Sequence, residues 1–137
     1  MRVILDTNIL VAALISPSGP PAAILQAFLD ERFTLATCEP QFEEFRRVTR
    51  APELRERVRP AEAGTLVNEL RALARIPKRL PKIERSSDPH DDFLLALAEA
   101  AGADYLVTGD KSGLLALRKH GRTRIVTARR FSRLLGD

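Results

Sequence analysis

Carboxylates stand at four separated places in this chain, each beside a short apolar run. "VILDTN" carries Asp6, "EEF" carries Glu43 and Glu44, "DPHDDF" carries Asp88, Asp91 and Asp92, and "VTGD" carries Asp110. An ionised carboxylate next to a core is costly to desolvate unless something pairs with it. Several carboxylates brought together raise one another's pKa, and a hard divalent cation with oxygen ligands relieves them. Mg²⁺ or Mn²⁺ held in this way generates a hydroxide nucleophile and stabilises charge on a phosphoryl oxygen. Zinc chemistry is not expected, because no Cys/His set has zinc spacing; His90 and His120 stand alone, and Cys38 is the single cysteine.

Each acid also has a local role to weigh. Asp88 precedes Pro89 and suits an N-cap, the role favoured for it over ligation. Asp91 is open between completing a capping box and holding metal. Asp92 lies past the capping positions and shares a helical face with Asp88. Asp110 is open between capping the next helix and ligation, and Asp6 competes only with an N-cap role. Glu43 and Glu44 differ by about 100° around a helix, so at most one faces a given site. Glu44, between Phe42 and Phe45, is preferred. Asn8 either orients Asp6 or makes a turn, and Thr108 either holds Asp110 or ends a strand.

The elements that must gather these residues follow from periodicity and from Pro and Gly punctuation. Arg2–Leu5 reads as a buried strand, Asn8–Ile15 as a helix, and Pro20 opens a helix reaching about Asp30. "FTLAT" is a strand, "EPQFEEFRRV" a helix, and Pro60 starts another carrying Leu66, Val67, Leu70 and Leu73. "DPHDDFLLALAEAAG" is a helix closed by Gly102. "DYLVTGD" is a strand, "GLLALRKHG" a helix ended by Gly121, "TRIVTA" a strand and "RRFSRLLG" a helix. The alternation predicts one α/β domain over residues 1–137. Its parallel sheet of four or five strands has helices on both faces, and the acids lie beyond the carboxyl ends of its strands.

Composition narrows the chemistry. Hydrophobic residues make up 45% and charged residues 29% of 137, the balance of a globular domain. No apolar run approaches the ~20 residues that cross a bilayer, so no membrane association is expected. A lone cysteine and the lack of a signal-peptide pattern predict a cytoplasmic protein. The net charge of +4 is unevenly spread. Arg46–Arg85 holds 12 basic and 5 acidic residues, and Arg118–Arg133 holds 7 basic and none acidic, which leaves the remainder at −10. Acids within basic surroundings suit a metal site acting on a phosphate backbone. A nucleotide-binding domain ranks last, since no Gly-rich phosphate loop follows the first strand.

"VILDTNILVAAL", "EEFRRV", "DPHDDFLLALAEAAGADYLVTGD" and "RIVTARRF", in that order, resemble the PIN-domain family, in particular the bacterial branch of toxin components of toxin–antitoxin systems. The resemblance implies a three-layer α/β/α sandwich and a Mg²⁺- or Mn²⁺-dependent endoribonuclease. It implies a protein antitoxin as partner and a homodimer. It assigns the catalytic and metal-binding acids to Asp6, Glu44, Asp92 and Asp110, with Asn8 and Thr108 at its supporting polar positions; Asp88 and Asp91, from the same helix start, are counted as further supporting residues. Relatives often carry a further Asp two residues past the acid matched by Asp110. Ser112 and Gly113 occupy that region here, which leaves one metal or two as alternatives. A catalytically weak or inactive module that binds nucleic acid or protein is the competing reading.

Overall fold

The computed structural model describes residues 1–86, 88–110 and 113–136. Strand β1 (Arg2–Leu5) leads into α1 (Thr7–Ile15) and α2 (Pro20–Leu29), and then into the short β2 (Thr34–Leu35). Three helices follow: α3 (Glu39–Thr49), α4 (Pro60–Leu73) and α5 (Pro89–Ala101). The chain closes with β3 (Tyr105–Val107), α6 (Leu114–Leu117), β4 (Lys119–His120), β5 (Thr123–Val126) and α7 (Ala128–Leu134).

The five strands form one sheet in the order β2-β1-β3-β5-β4. β1 pairs in parallel with β2 and β3, and β3 pairs in parallel with β5. The chain leaves β1 for one neighbour and returns on its other side as β3. The β1/β3 boundary is therefore the topological switch point, where such sheets bind ligands.

Both faces of the sheet are covered, which is why β1 is continuously apolar. Val3, Leu5, Val107 and Val126 point into a core shared with α1, α2, α3, α4 and α7. Ile4, Leu106 and Ile125 point the other way, against Leu94, Leu95, Leu97 and Ala98 of α5 and Leu114 of α6. The result is the expected three-layer sandwich. Cys38 is buried, and burial pushes its thiol up to about 11, as suits a small core filler. Gly102 closes α5 in the left-handed region, at φ 61°.

Two expectations need correction. "GLLALRKHG" is not one helix: α6 is a single turn capped by Gly113 rather than by Asp110. Arg118, at φ 61°, breaks it, and Lys119 and His120 pair antiparallel with Arg124 and Thr123. The apolar run ends at Leu117, and Gly121, at φ 56°, turns a hairpin instead of capping a helix. The sheet is consequently mixed, with an antiparallel edge. "FTLAT" also shrinks to a two-residue strand, extended only by a bridge between Ala36 and Arg75. Among the described residues, no single helix is long and apolar enough to cross a membrane.

Helix α7 is anchored by Phe131, which is fully buried and meets Phe33 edge-on at 5.5 Å and Tyr105 at 5.5 Å. Phe131→Ala is expected to cost about 3–5 kcal/mol of unfolding free energy. Urea denaturation checks this; a loss under ~1 kcal/mol would mean that α7 is not part of the cooperative core.

Candidate active site

Asp6 follows the last residue of β1, and its backbone N–H donates to the Val107 carbonyl at 2.9 Å. The end of β1 is thereby bolted to the end of β3. Its side chain is half-buried, and its Oδ2 accepts the Thr108 hydroxyl at 2.7 Å. That hydroxyl in turn accepts the Asp110 N–H at 3.1 Å, so Thr108 joins both acid-bearing segments. Asp6 occupies the N-cap position of α1 without a well-formed capping bond. Burial raises its pKa above 3.8; the Thr108 bond and the nearby Asn8 and Thr7 amides oppose that rise, and the Asp110 charge adds to it. The Asn8 side chain is exposed, so Asn8 meets Asp6 through its backbone rather than as a buried orienting amide.

Asp110 Oδ1 accepts the Gly113 N–H at 3.1 Å. A Cβ built on Gly113 would collide with the Asp110 carboxylate and fall 2.9 Å from Asp91 Oδ2. Two carboxylates therefore converge on a position that only glycine leaves open. Ser112, the other residue of the altered segment, lies outside the described residues.

The structure brings Asp91, not Asp92, to this group. Asp91 is 7% exposed. Burial raises its pKa, and the charges of Asp88, Asp110 and Asp6 raise it further, against one bond from the Ser86 hydroxyl. Asp92 Oδ1 instead accepts the backbone N–H groups of Arg85 at 3.1 Å and Ser86 at 2.7 Å, which ties down the segment entering α5. Helical spacing alone does not separate the two: Asp91 lines up with the buried Leu94, Leu95 and Ala98, and Asp92 with the buried Leu95 and Ala96. The difference lies in their contacts, since the Arg85 and Ser86 backbone holds Asp92 while Asp91 faces Gly113. Asp88 caps α5 by accepting the His90 N–H at 3.0 Å. Ser86, rather than Asp91, meets the Asp88 N–H, so the capping box is not formed.

Glu44 is the inward member of its pair; its side chain is 10% exposed, while Glu43 is exposed. Its carboxylate pairs with His90 Nε2, one residue from Asp91, and Arg47 Nη2 lies 3.9 Å away. Glu44 therefore reaches α5 beside the aspartates. The sequence reading missed the group that sets α3 against the sheet. Gln41 is 2% exposed, donates to the Leu5 carbonyl at 2.6 Å and accepts the Thr37 hydroxyl at 2.6 Å. An amide beside Phe42 and one turn before Phe45, on the apolar face of α3, was the available signal. Among the described residues, no group of three or more His, Cys, Asp or Glu side chains is arranged to hold a metal ion.

An α/β sandwich with aspartates converging beyond the carboxyl ends of β1 and β3 defines a class of acidic-site domains. The family model described as PIN domain matches residues 2–112, and the chain belongs to the PIN-domain family. PIN domains are generally nucleases and typically use divalent metals. No curated protein and no solved structure matches the chain.

The raised pKa values of Asp6 and Asp91 give a signed expectation. The folded chain holds these protons more tightly than the unfolded chain. Neither group penalises the fold below 3.8, their ordinary value. As the pH rises above 3.8 the unfolded state loses its protons first, and stability falls until the folded groups have also ionised. In EDTA, Asp6→Asn is expected to melt above wild type at pH 7, with the gap closing as the pH approaches 3.8. Thermal melts across that range check this; a mutant that melts lower at pH 7 would contradict it.

Proposed function

We propose that this chain is a metal-dependent endoribonuclease acting through Asp6, Asp91 and Asp110, with Glu44 beside them, and that it is the toxin of a toxin–antitoxin pair. The observation that carries the nuclease reading is the convergence of Asp91 and Asp110 on Gly113, with Asp6 coupled to both. The donors are all carboxylate oxygens, two of them with raised pKa values, and a side chain on Gly113 would fill the space between two of them. This chemistry fits Mg²⁺ or Mn²⁺, which bind through one or two carboxylates and keep several waters. When bound, the cation supplies a low-pKa water and neutralises phosphoryl charge. The chain's own part is positional. Thr108 fixes Asp6 and the Asp110 backbone, Gly113 orients the Asp110 carboxylate, and His90 and Arg47 hold Glu44.

The toxin role, a protein antitoxin, a homodimer and a cytoplasmic location rest on the family resemblance. One observation favours a second reading, a PIN-fold module with little or no catalysis: no ready three-ligand group exists among the described residues. Cation binding without strand cleavage would select it.

Cleavage of an end-labelled single-stranded RNA with Mn²⁺, Mg²⁺ or EDTA tests the proposal. Metal-dependent cutting is expected to fall at least ~100-fold, about 2.7 kcal/mol, in both Asp6→Asn and Asp91→Asn. Asp92→Asn keeps the cleavage in this reading, because its amide oxygen still accepts the Arg85 and Ser86 N–H groups, whereas Asp92→Ala loses those bonds and about 1–3 kcal/mol of stability. An inactive, well-folded Asp92→Asn beside an active Asp91→Asn would reverse the assignment. Gly113→Ala is expected to act like a ligand mutant, cutting more than ~10-fold slower with its fold retained. An unchanged rate would mean that the Asp110 position is not critical.

A further inference from the structure

The aspartate site repels a polyanion, so a strand reaching it needs compensating charge nearby. A groove of about 670 Å³ lies between α3 and α4, and Arg46, Arg50 and Arg55 are among its lining residues. Its floor is apolar, with Val58, Ala63 and Val67 at 2%, 7% and 3% exposure. Among the described residues, Arg47, Arg59, Arg71 and Arg122 are in ion pairs, but none of the three groove arginines is. Glu39 attracts Arg46 only at a distance.

A second groove, lined by Glu43, Arg46, Arg47, Arg50 and Ala51, shares two of these arginines. It continues toward the site, because Arg47 Nη2 lies 3.4 Å from His90 Nε2. Arg46, on α3, and Arg50, its C-cap, are about one turn or 6 Å apart along the axis. A basic path thus runs from α4 to the residue next to Asp91, and Glu43 is the one acid among the residues that line the two grooves.

We propose that the α3–α4 groove binds the phosphate backbone of a single-stranded nucleic acid and leads it to the aspartates, an inference that rests on the nuclease reading. Arginine suits this role because its fork meets phosphate oxygens in pairs. The groove offers no aromatic platform, so its contacts are to the backbone and carry no base preference.

Fluorescence anisotropy of a labelled oligouridylate, in EDTA to prevent cutting and between about 50 mM and 200 mM salt, tests it. The variants are Arg46→Ala/Arg50→Ala/Arg55→Ala, the same triple to Lys, and Arg75→Ala/Lys78→Ala. The last pair lines a pocket with Arg2 and Ala101 at the opposite end of the sheet. The Ala triple is expected to bind more than ~10-fold more weakly and to lose about 2 from the log–log salt slope, at ~0.7 per phosphate. The Lys triple keeps the slope, the Arg75/Lys78 pair behaves as wild type, and all variants melt normally.

Wild-type affinity and slope in the Ala triple would overturn the proposal, as would an equal loss in the Arg75/Lys78 pair or no RNA binding by wild type. Polyglutamate that binds more tightly than RNA and releases from the Ala triple would overturn it in favour of an acidic protein partner. Groove-dependent binding without metal-dependent cutting by wild type would support the groove and sink the nuclease reading. Cutting by wild type that the Ala triple retains in full at sub-saturating RNA would sink the groove alone.

Discussion

Holding like-charged aspartates together at the edge of a buried sheet costs free energy, and much of the local structure answers that cost. Burial dominates the rise in the pKa of both Asp6 and Asp91, and neighbouring carboxylates add to it. The opposing groups are few and specific. The Thr108 hydroxyl donates to Asp6 and, through the same oxygen, receives the Asp110 N–H. One side chain at the end of β3 thus sets the relation between acids that are far apart in sequence. Gly113 completes the arrangement by having no Cβ where two carboxylates meet. A cation bound among these carboxylates would relieve the repulsion and so stabilise the fold that presents them.

The rest of the molecule keeps these segments in register. The parallel pairing of Leu5 with Val107 brings Asp6 and Thr108 level across the switch point. Gln41 reaches from the first turn of α3 to the carbonyl of Leu5, so the helix carrying Glu44 is tied to the strand end that carries Asp6. Asp92 binds the backbone leading into α5 and so sets the entry angle of the helix that carries Asp91. Adjacent acids in one motif therefore divide the work: one faces the site, and the other holds the chain that delivers it. Such polar contacts are few, and each would leave a buried or half-buried group unsatisfied if removed.

Most of the fold was legible in the sequence because its signals were local. Val3–Leu5 had to be a covered strand, Pro20, Pro60 and Pro89 marked helix starts, and Gly102 marked a helix end. The last third was harder. Leu114–Leu117 carries helical spacing for one turn only, and Gly121 suits a helix C-cap as well as a hairpin turn. Pairing of Lys119 and His120 with Arg124 and Thr123 settled the matter, and that pairing is a tertiary event. The candidate site was legible by segment rather than by side chain. All four acid-bearing segments were identified, and Glu44 is the inward glutamate, but the structure sets Asp91 rather than Asp92 beside Asp110 and Gly113. The apolar stripe of α5 leads back to Asp91 through Leu94 and Leu95 and equally to Asp92 through Leu95 and Ala96, so the sequence left the choice open and the contacts of each carboxylate decided it.

The sequence by itself determined which segments become strands and helices, and that a parallel sheet would carry several carboxylates to one edge. Those features depend on periodicity, on proline and glycine geometry and on strand-helix alternation, all written within a few residues of where they act. The tertiary structure alone decided which carboxylates converge, that Thr108 and Gly113 join them, that Gln41 bridges α3 to β1, and that Arg46, Arg50 and Arg55 line a common groove. Each of these depends on the rotation of a helix or the approach of two chain segments, and such quantities are set by packing between elements rather than by any one of them.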